Sequence, residues 1–221
     1  MIDICVTHFG NKYSSKYITN LENGIARNYS SDFNLLVKTD CPNRHWDKIS
    51  FFETDNPRII MDIDFVITSN LDELFDYKIP DNSFAAFPRW WRNGGCTING
   101  GFYKINPGPN VFSVVDKFYS DPNLWMNYYG NLVGSPGKGE QNFIEDSFPN
   151  RIELPGEWLG IYTEGSNRYD HTIHNKYYNH YELPLMVNDR FNSKVKLVHF
   201  IYDDNLIETK QQWIKDLWNI T

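Results

Sequence analysis

The sequence predicts an α/β fold, one domain built on a mostly parallel central sheet with helices on its faces. Two observations carry that expectation. Up to about residue 80, apolar runs of strand length alternate with helical periodicity in the order strand, helix, strand, helix, strand, and such alternation is normally wired as parallel crossovers. The 221 residues are 41% hydrophobic and 22% charged, enough to bury one core, and no composition break marks a linker.

Ile2 to Thr7 is an apolar run that ends in His8-Phe9-Gly10-Asn11, a strand followed by a loop. Ser14 and Ser15 can cap a helix that carries Tyr17, Ile18, Leu21 and Ile25 on one face. Phe33 to Lys38 reads as the second strand, Trp46 to Phe52 as a short amphipathic helix, and Arg58 to Ile63 as the third strand. Leu71 to Phe75 is a turn of helix opened by Ser69 or Asn70. The order is more mixed beyond it. Strands are expected at Ser83 to Phe87 and Asn99 to Asn106, and a helix at Val111 to Tyr119. A Gly-rich loop, Gly134 to Gly139, runs into a helix at Glu140 to Asp146. A late strand at Lys194 to Ile201 and a helix at Thr209 to Trp218 close the chain, and the polar, aromatic stretch Tyr162 to Asn188 has no clear period.

Composition narrows the function classes. A net charge of −7 argues against a nucleic-acid partner, which calls for a clustered basic face. No run approaches the ~18 apolar residues of a membrane span. Cys5, Cys41 and Cys96 form neither a C-x-x-C pair nor a zinc spacing, and the amino terminus enters a strand without a basic-then-apolar leader, so a reducing, cytoplasmic setting is expected. Aromatic residues make up 16%, many of them Tyr and Trp, which suit sugar surfaces as well as cores. Trp90 and Trp91, read as strand neighbours, would point to opposite sides, one into the core and one free to meet a sugar.

The chemistry concentrates at Asp62-Ile63-Asp64. On extended backbone, residues i and i+2 face the same side, so both carboxylates can address one point. They follow Ile59-Ile60-Met61, at the carboxyl end of a strand, where open α/β sheets bind ligands. Two hard oxygen donors there suit Mg²⁺ or Mn²⁺, and a metal would also give an acidic protein local positive charge for a phosphate-bearing ligand. The same pair alone also fits a capping or surface role. His199, at the end of an apolar strand, reads alone as a core histidine or a metal ligand, and Lys48 as a solvated helix lysine or a ligand contact.

The stretch from Arg58 to Ile67, continuing into Asn70-Leu71-Asp72-Glu73-Leu74-Phe75, resembles the glycogenin-like, family 8 type of nucleotide-sugar glycosyltransferases, whose fold is the Rossmann-like GT-A domain. Ile4-Cys5-Val6-Thr7 with Tyr13 is similar to the family's first strand and base-contacting tyrosine. His45-Trp46-Asp47-Lys48 resembles its Trp-x-Lys segment. Ile98-Asn99-Gly100-Gly101-Phe102 resembles the loop under the donor sugar, Glu140-Gln141 the acidic-Gln pair beside the reacting carbon, and Val198-His199-Phe200 the strand that completes the metal shell.

The resemblance implies one GT-A domain over residues 1–221, with a nucleotide-binding part at about 1–105 and an acceptor side at about 106–221. It implies transfer of a hexose from a nucleoside-diphosphate sugar, a UDP-sugar by expectation, to an unidentified hydroxyl acceptor (glycan, protein or lipid) with retention. The implied roles are Asp62, Asp64 and His199 for Mn²⁺ or Mg²⁺. Thr7, Tyr13, Lys48, Asn99, Gly100 and Gly101 would bind the donor, and Gln141 and Glu140 would act at the reacting carbon. Glu140 stands where the family has Asp, and Ile98 where it has Phe. After His199 the family's basic diphosphate clamp gives way to Ile201-Tyr202-Asp203-Asp204, so Arg58, Lys48 or Lys138 would have to supply charge. Two rival expectations are a non-catalytic carbohydrate-binding module and a sugar-nucleotide nucleotidyltransferase. The second would carry a Gly-rich basic loop after the first strand, and His8-Phe9-Gly10-Asn11-Lys12 is a poor match.

Overall fold

A computed structural model describes residues 1–91, 96–131, 139–148, 151–162, 194–200, 206–210 and 212–218. The expected loop at residues 134–138, the stretch 163–188 with its three histidines, and Asp203-Asp204 lie outside the described residues, as does Lys138.

The strands are β1 (Ile2–Thr7), β2 (Phe33–Lys38), β3 (Arg58–Met61), β4 (Phe65–Ile67), β5 (Ser83–Pro88), β6 (Ile98–Asn106), β7 (Ile152–Glu153), β8 (Leu159–Ile161) and β9 (Leu197–His199). The helices are α1 (Lys16–Asn28), α2 (Asp72–Phe75), α3 (Pro109–Ser120), α4 (Pro122–Gly130), α5 (Glu140–Ser147) and α6 (Gln212–Trp218), with a long 3₁₀ helix at Arg44–Phe52. The main sheet is six-stranded, in the order β2-β1-β3-β6-β5-β7. β1, β2, β3, β5 and β7 run one way and only β6 runs against its neighbours, so the sheet is mostly parallel, as the alternation predicts.

Strand periodicity splits the core between the two faces of this sheet. Ile4, Val6, Ile59, Met61, Ala85, Phe87 and Phe102 face one apolar cluster, completed by α1, α2, α6 and a second sheet. Cys5, Ile60, Phe84, Ala86, Tyr103 and Ile105 face the other, completed by the 3₁₀ helix and α3 to α5. With helices on both faces, β1 is buried along most of its length, which is why Ile4-Cys5-Val6 is apolar without alternation.

Several boundaries depart from the sequence reading. The third strand stops at Met61, before the two aspartates, and the chain leaves for a second, three-stranded sheet in the order β4-β9-β8. The stretch 46–52 is 3₁₀ rather than α, and its repeat of three explains its burial. Trp46, Ile49 and Phe52 fall on one line and enter the core, whereas His45 and Lys48 fall on the next. Neither Ser14 nor Ser15 caps α1 through its side chain; Ser15 takes the N-cap position with αR backbone, and the two serine carbonyls accept the first helical N–H groups. The α4 helix, capped by the Asp121 carboxylate on the Leu124 N–H, is an addition. Trp90 and Trp91 lie past the end of β5, and both are buried, so neither offers a free ring to a sugar.

The 3₁₀ helix is held from both ends. The Asp47 carboxylate accepts the Asn43 N–H at 2.7 Å and the Tyr119 hydroxyl of α3 at 3.2 Å, while the Phe52 ring lies among Phe84, Tyr103 and Phe148. Truncating Phe52 to Ala should cost ~3–5 kcal/mol, the usual range for a fully buried ring. Urea unfolding should show this as a lower midpoint at unchanged m-value.

Candidate functional site

The two sheets meet at Asp62-Ile63-Asp64. The Asp62 N–H still pairs with the main sheet, donating to the Gly101 carbonyl at 2.8 Å. The Asp64 carbonyl already belongs to the second sheet's edge, accepting the Phe200 N–H at 3.0 Å, and the next residue, Phe65, pairs with His199. Ile63 anchors the crossing in the core. The switch of sheet, rather than one extended strand, gathers Asp62, Asp64 and His199 so that one donor atom of each lies within 4.8 Å of the others.

The His199 ring stacks on Phe65 with centroids 4.3 Å apart, and its Nε2 lies 3.3 Å from Asp64 Oδ1 and 3.8 Å from Asp62 Oδ2. On the other side, Nδ1 lies 3.1 Å from the Asn99 amide nitrogen, whose oxygen accepts the Gly101 N–H at 2.6 Å. A Cβ on Gly101 would overlap the His199 ring, and one on Gly100 would sit 2.7 Å from Gln141 Oε1. Gly101 is therefore required by close approach, whereas a side chain at Gly100 would displace the Gln141 carboxamide.

Asp64 is nearly buried and accepts the Tyr13 hydroxyl at 2.7 Å. Burial and the adjacent Asp64 charge push the Tyr13 phenol far above its ordinary range, so it stays a donor. Burial opposes the Asp64 charge, but His199, the Tyr13 hydroxyl and the nearby Lys12 hold its carboxyl below the usual range.

Lys48 binds the opposite side. Its buried ammonium lies 2.6 Å from Asp62 Oδ1 and 3.3 Å from Glu140 Oε1, and it donates to the Gly100 carbonyl at 2.9 Å. Burial works against the charge, yet the two carboxylates outweigh it and raise the Lys48 pKa. Burial likewise opposes ionisation of Glu140, but Lys48 and His45 keep it ionised, its carboxyl held below the ordinary value. His45 Nε2 lies 3.4 Å from Glu140 Oε2.

These groups border a cavity of about 410 Å³ at the carboxyl end of β1 and β3, lined by Thr7, Lys12, Tyr13, His45, Lys48, Asp62, Asp64 and Glu140 together with Phe9 and Ile63. That volume is in the range of small-molecule sites. Six of the sequence-derived site residues line it: Thr7, Tyr13, Lys48, Asp62, Asp64 and Glu140. Asn99, Gly100, Gly101, Gln141 and His199 lie directly behind, with Gln141 Oε1 accepting the Gly100 N–H at 3.1 Å.

Lys12 and His45 were missed by site reading. The 3₁₀ repeat of three, which aligns His45 with Lys48, is the signal for one; adjacency to Tyr13, whose ring lies 4.5 Å from the Lys12 ammonium, is the signal for the other. Arg58, one of the cations expected to supply charge, does not reach the cavity. It begins β3 at the opposite end of the sheet, where it pairs with Asp3 and donates to the Phe51 and Glu53 carbonyls.

No protein-family model matches the chain, and no curated protein does. Solved structures do match. The galactosyltransferase LgtC, in complex with donor and acceptor sugar analogs, superposes with a TM-score of 0.62 at 12% identity, over 99% of this chain and 95% of that one. The apo-form glycosyltransferase GlyE of Streptococcus pneumoniae TIGR4 gives 0.62 at 14%, over 99% of this chain but only 59% of that one. Mouse xyloside xylosyltransferase 1 gives 0.52 at 11%, over 90% and 98%. The fold is thus that of GT-A glycosyltransferases.

The paired charges make the site sensitive to acid. Glu140 has a folded pKa below its ordinary 4.5, so its contribution to stability is complete above that value and is lost as the pH falls through the folded one. Replacing Lys48 by Met leaves the buried Glu140 carboxylate without its ammonium and should cost ~3–5 kcal/mol near neutral pH. The deficit should shrink as the pH falls and the unpaired Glu140, its carboxyl now raised by burial, takes up a proton, and Lys48→Met/Glu140→Gln should recover part of it. Urea midpoints against pH for the three proteins check this.

Proposed function

We propose that the chain is a glycosyltransferase that moves a hexose from a nucleoside-diphosphate sugar to a hydroxyl acceptor. The observation that carries the proposal is the convergence of Asp62, Asp64 and His199 beside a cavity at the strand ends of a fold shared with glycosyltransferases. Uridine as the base and retention of configuration are supported by the ordered sequence resemblance.

Two carboxylates and an imidazole form a hard donor set that suits Mn²⁺ or Mg²⁺, and the close packing of Gly101 against His199 keeps the ring turned to the carboxylates. When bound there, the metal supplies positive charge to the departing diphosphate. The chain's own residues do the rest. The half-buried Tyr13 ring lines the cavity and offers a face for the base, while its hydroxyl stays on Asp64. Thr7 contributes a hydroxyl at the end of β1.

Lys48 is already shared by Asp62 and Glu140, so the cavity's further positive charge towards phosphate comes from Lys12. Glu140 is committed to Lys48 and His45, which assigns it to holding cations in place rather than to moving protons. Gly100 and Gly101, behind the cavity, make room for Gln141 and the His199 ring and place backbone on the sugar side. The Gly100 N–H sets the Gln141 carboxamide, whose oxygen is the neutral group suited to face the electron-poor anomeric carbon.

Asp64→Asn keeps the volume and the neighbours but removes a charge. It should stay folded and lose at least ~100-fold in release of UDP from UDP-sugars assayed with Mn²⁺, a loss of ~2.7 kcal/mol in barrier terms. A folded Asp64→Asn enzyme with undiminished turnover would overturn the reading. Thermal melts with and without Mn²⁺ separate transferase from binding module, because a donor that binds the native state stabilises it.

Lys12→Gln should weaken UDP binding by about tenfold, ~1.4 kcal/mol, while uridine binding stays nearly unchanged. Calorimetry with both ligands reads this. Equal weakening of both would move Lys12 from the phosphates to the nucleoside.

A further inference from the structure

We propose that a second cavity, at the opposite end of the sheet around Lys104, is a binding site for a small molecule carrying one oxyanion group, a phosphate ester or a carboxylate. The cavity measures about 610 Å³ and is lined by Asp3, Tyr29, Asp76, Lys78, Lys104 and Asn106 among others. It lies at the Asp3 end of β1, whereas the candidate active site lies at the Thr7 end. At ~3.3 Å per residue the two ends are ~13 Å apart, so the cavities are separate.

Lys104 is the anomaly. It sits inside β6, facing the same core cluster as Phe102, a position where an apolar side chain is the default. Only 5% of the residue is exposed. Its ammonium donates to the Phe75 carbonyl, and among the described residues no carboxylate lies within ion-pair distance of it. The carboxylates of the cavity are engaged elsewhere: Asp3 pairs with Arg58 and accepts from Asn34, and Asp76 accepts the Tyr29 hydroxyl at 3.0 Å. Lys78 adds positive charge at the wall, and Tyr77 adds a phenol.

A buried ammonium with three protons and one carbonyl partner is costly, and an oxyanion would compensate both its charge and its remaining donors. Burial lowers the Lys104 pKa to about 8, with Lys78 acting the same way and Asp76 opposing; the side chain therefore still carries most of its charge near neutral pH. Binding of an anion must favour the protonated form and raise that value.

NMR of the ¹⁵N-lysine-labelled full chain, with inorganic phosphate and acetate as probes, tests the proposal. The Lys104 signal, assigned by its loss in Lys104→Met, should titrate near pH 8 and move up by about one unit at saturation with the preferred anion, equivalent to a tenfold preference for the charged lysine. Response to phosphate alone identifies a phosphate ester site, and response to acetate alone a carboxylate site. Methionine fills the space of the lysine stem, so Lys104→Met should fold and its melting temperature should ignore both anions. If that variant fails to fold, Lys78→Ala gives the second reading, with anion affinity down severalfold. A Lys104 titration unmoved by either anion, or equal anion stabilisation of Lys104→Met and wild type, would refute the site and leave Lys104 as a structural donor to Phe75.

Discussion

The buried ammonium of Lys48 holds the candidate site together. One atom touches the end of β3 through Asp62, the β6 backbone through Gly100 and the start of α5 through Glu140. Three segments far apart in sequence are fixed by a single charge. That charge can be buried only because two carboxylates and a carbonyl replace its water. The dependence runs both ways, since Glu140 is ionised in a buried position only because Lys48 and His45 face it. Lys48 is delivered to this point by the 3₁₀ helix, whose repeat of three sends Trp46, Ile49 and Phe52 into the core and the line of His45 and Lys48 towards the cavity. An α-helix would rotate the two lines apart within one turn.

The second constraint is the change of sheet at residues 62 to 64. A D-x-D on one continuous strand would place both carboxylates on the same face, but it would not bring in a histidine from a strand near the end of the chain. Here Asp62 closes one sheet and Asp64 opens the other, so β9 can lie beside β4 with His199 opposite Phe65. The site therefore lies in the seam between two sheets, an expected place for a ligand cleft. Behind the cavity runs the Gly100-Gly101 backbone, where a Cβ would crowd Gln141 or overlap the His199 ring.

Much of this was legible in sequence. The runs at Ile2–Thr7 and Phe33–Lys38 end where the strands end, since apolar content and strand geometry agree there. The site residues that line the cavity or lie behind it were drawn out by the resemblance of short stretches to a known family, and the structure brings them to one place. What was not legible depends on tertiary context. The reversed direction of β6 leaves no mark on its own residues, because a strand buried on both faces looks the same in either direction. The sheet switch was hidden because Ile59 to Ile67 is apolar on both sides of the aspartates. Trp90 and Trp91 were read as strand neighbours, yet they follow β5 in a turn, where alternation does not apply and both rings can be buried. Arg58 was one of three cations expected to supply charge, but it begins a four-residue strand whose other end leads to the aspartates.

The network around His199 couples the metal-ligand candidates to the glycine loop. Gly101 N–H fixes the Asn99 oxygen, so the Asn99 amide offers its NH₂ to His199 Nδ1. A neutral ring that accepts at Nδ1 carries its proton on Nε2, 3.3 Å from Asp64 Oδ1, while Asp62 is held by Lys48. A divalent cation requires an unprotonated nitrogen on that side. The ring proton would then move to Nδ1, and Asn99 would have to present oxygen instead of nitrogen, releasing the Gly101 N–H. Gly101 is the immediate neighbour of Gly100, which holds both Gln141 and Lys48. The Asn99 amide thus joins the carboxylate–histidine cluster to the Gly100-Gly101 backbone on which Gln141 and Lys48 are held.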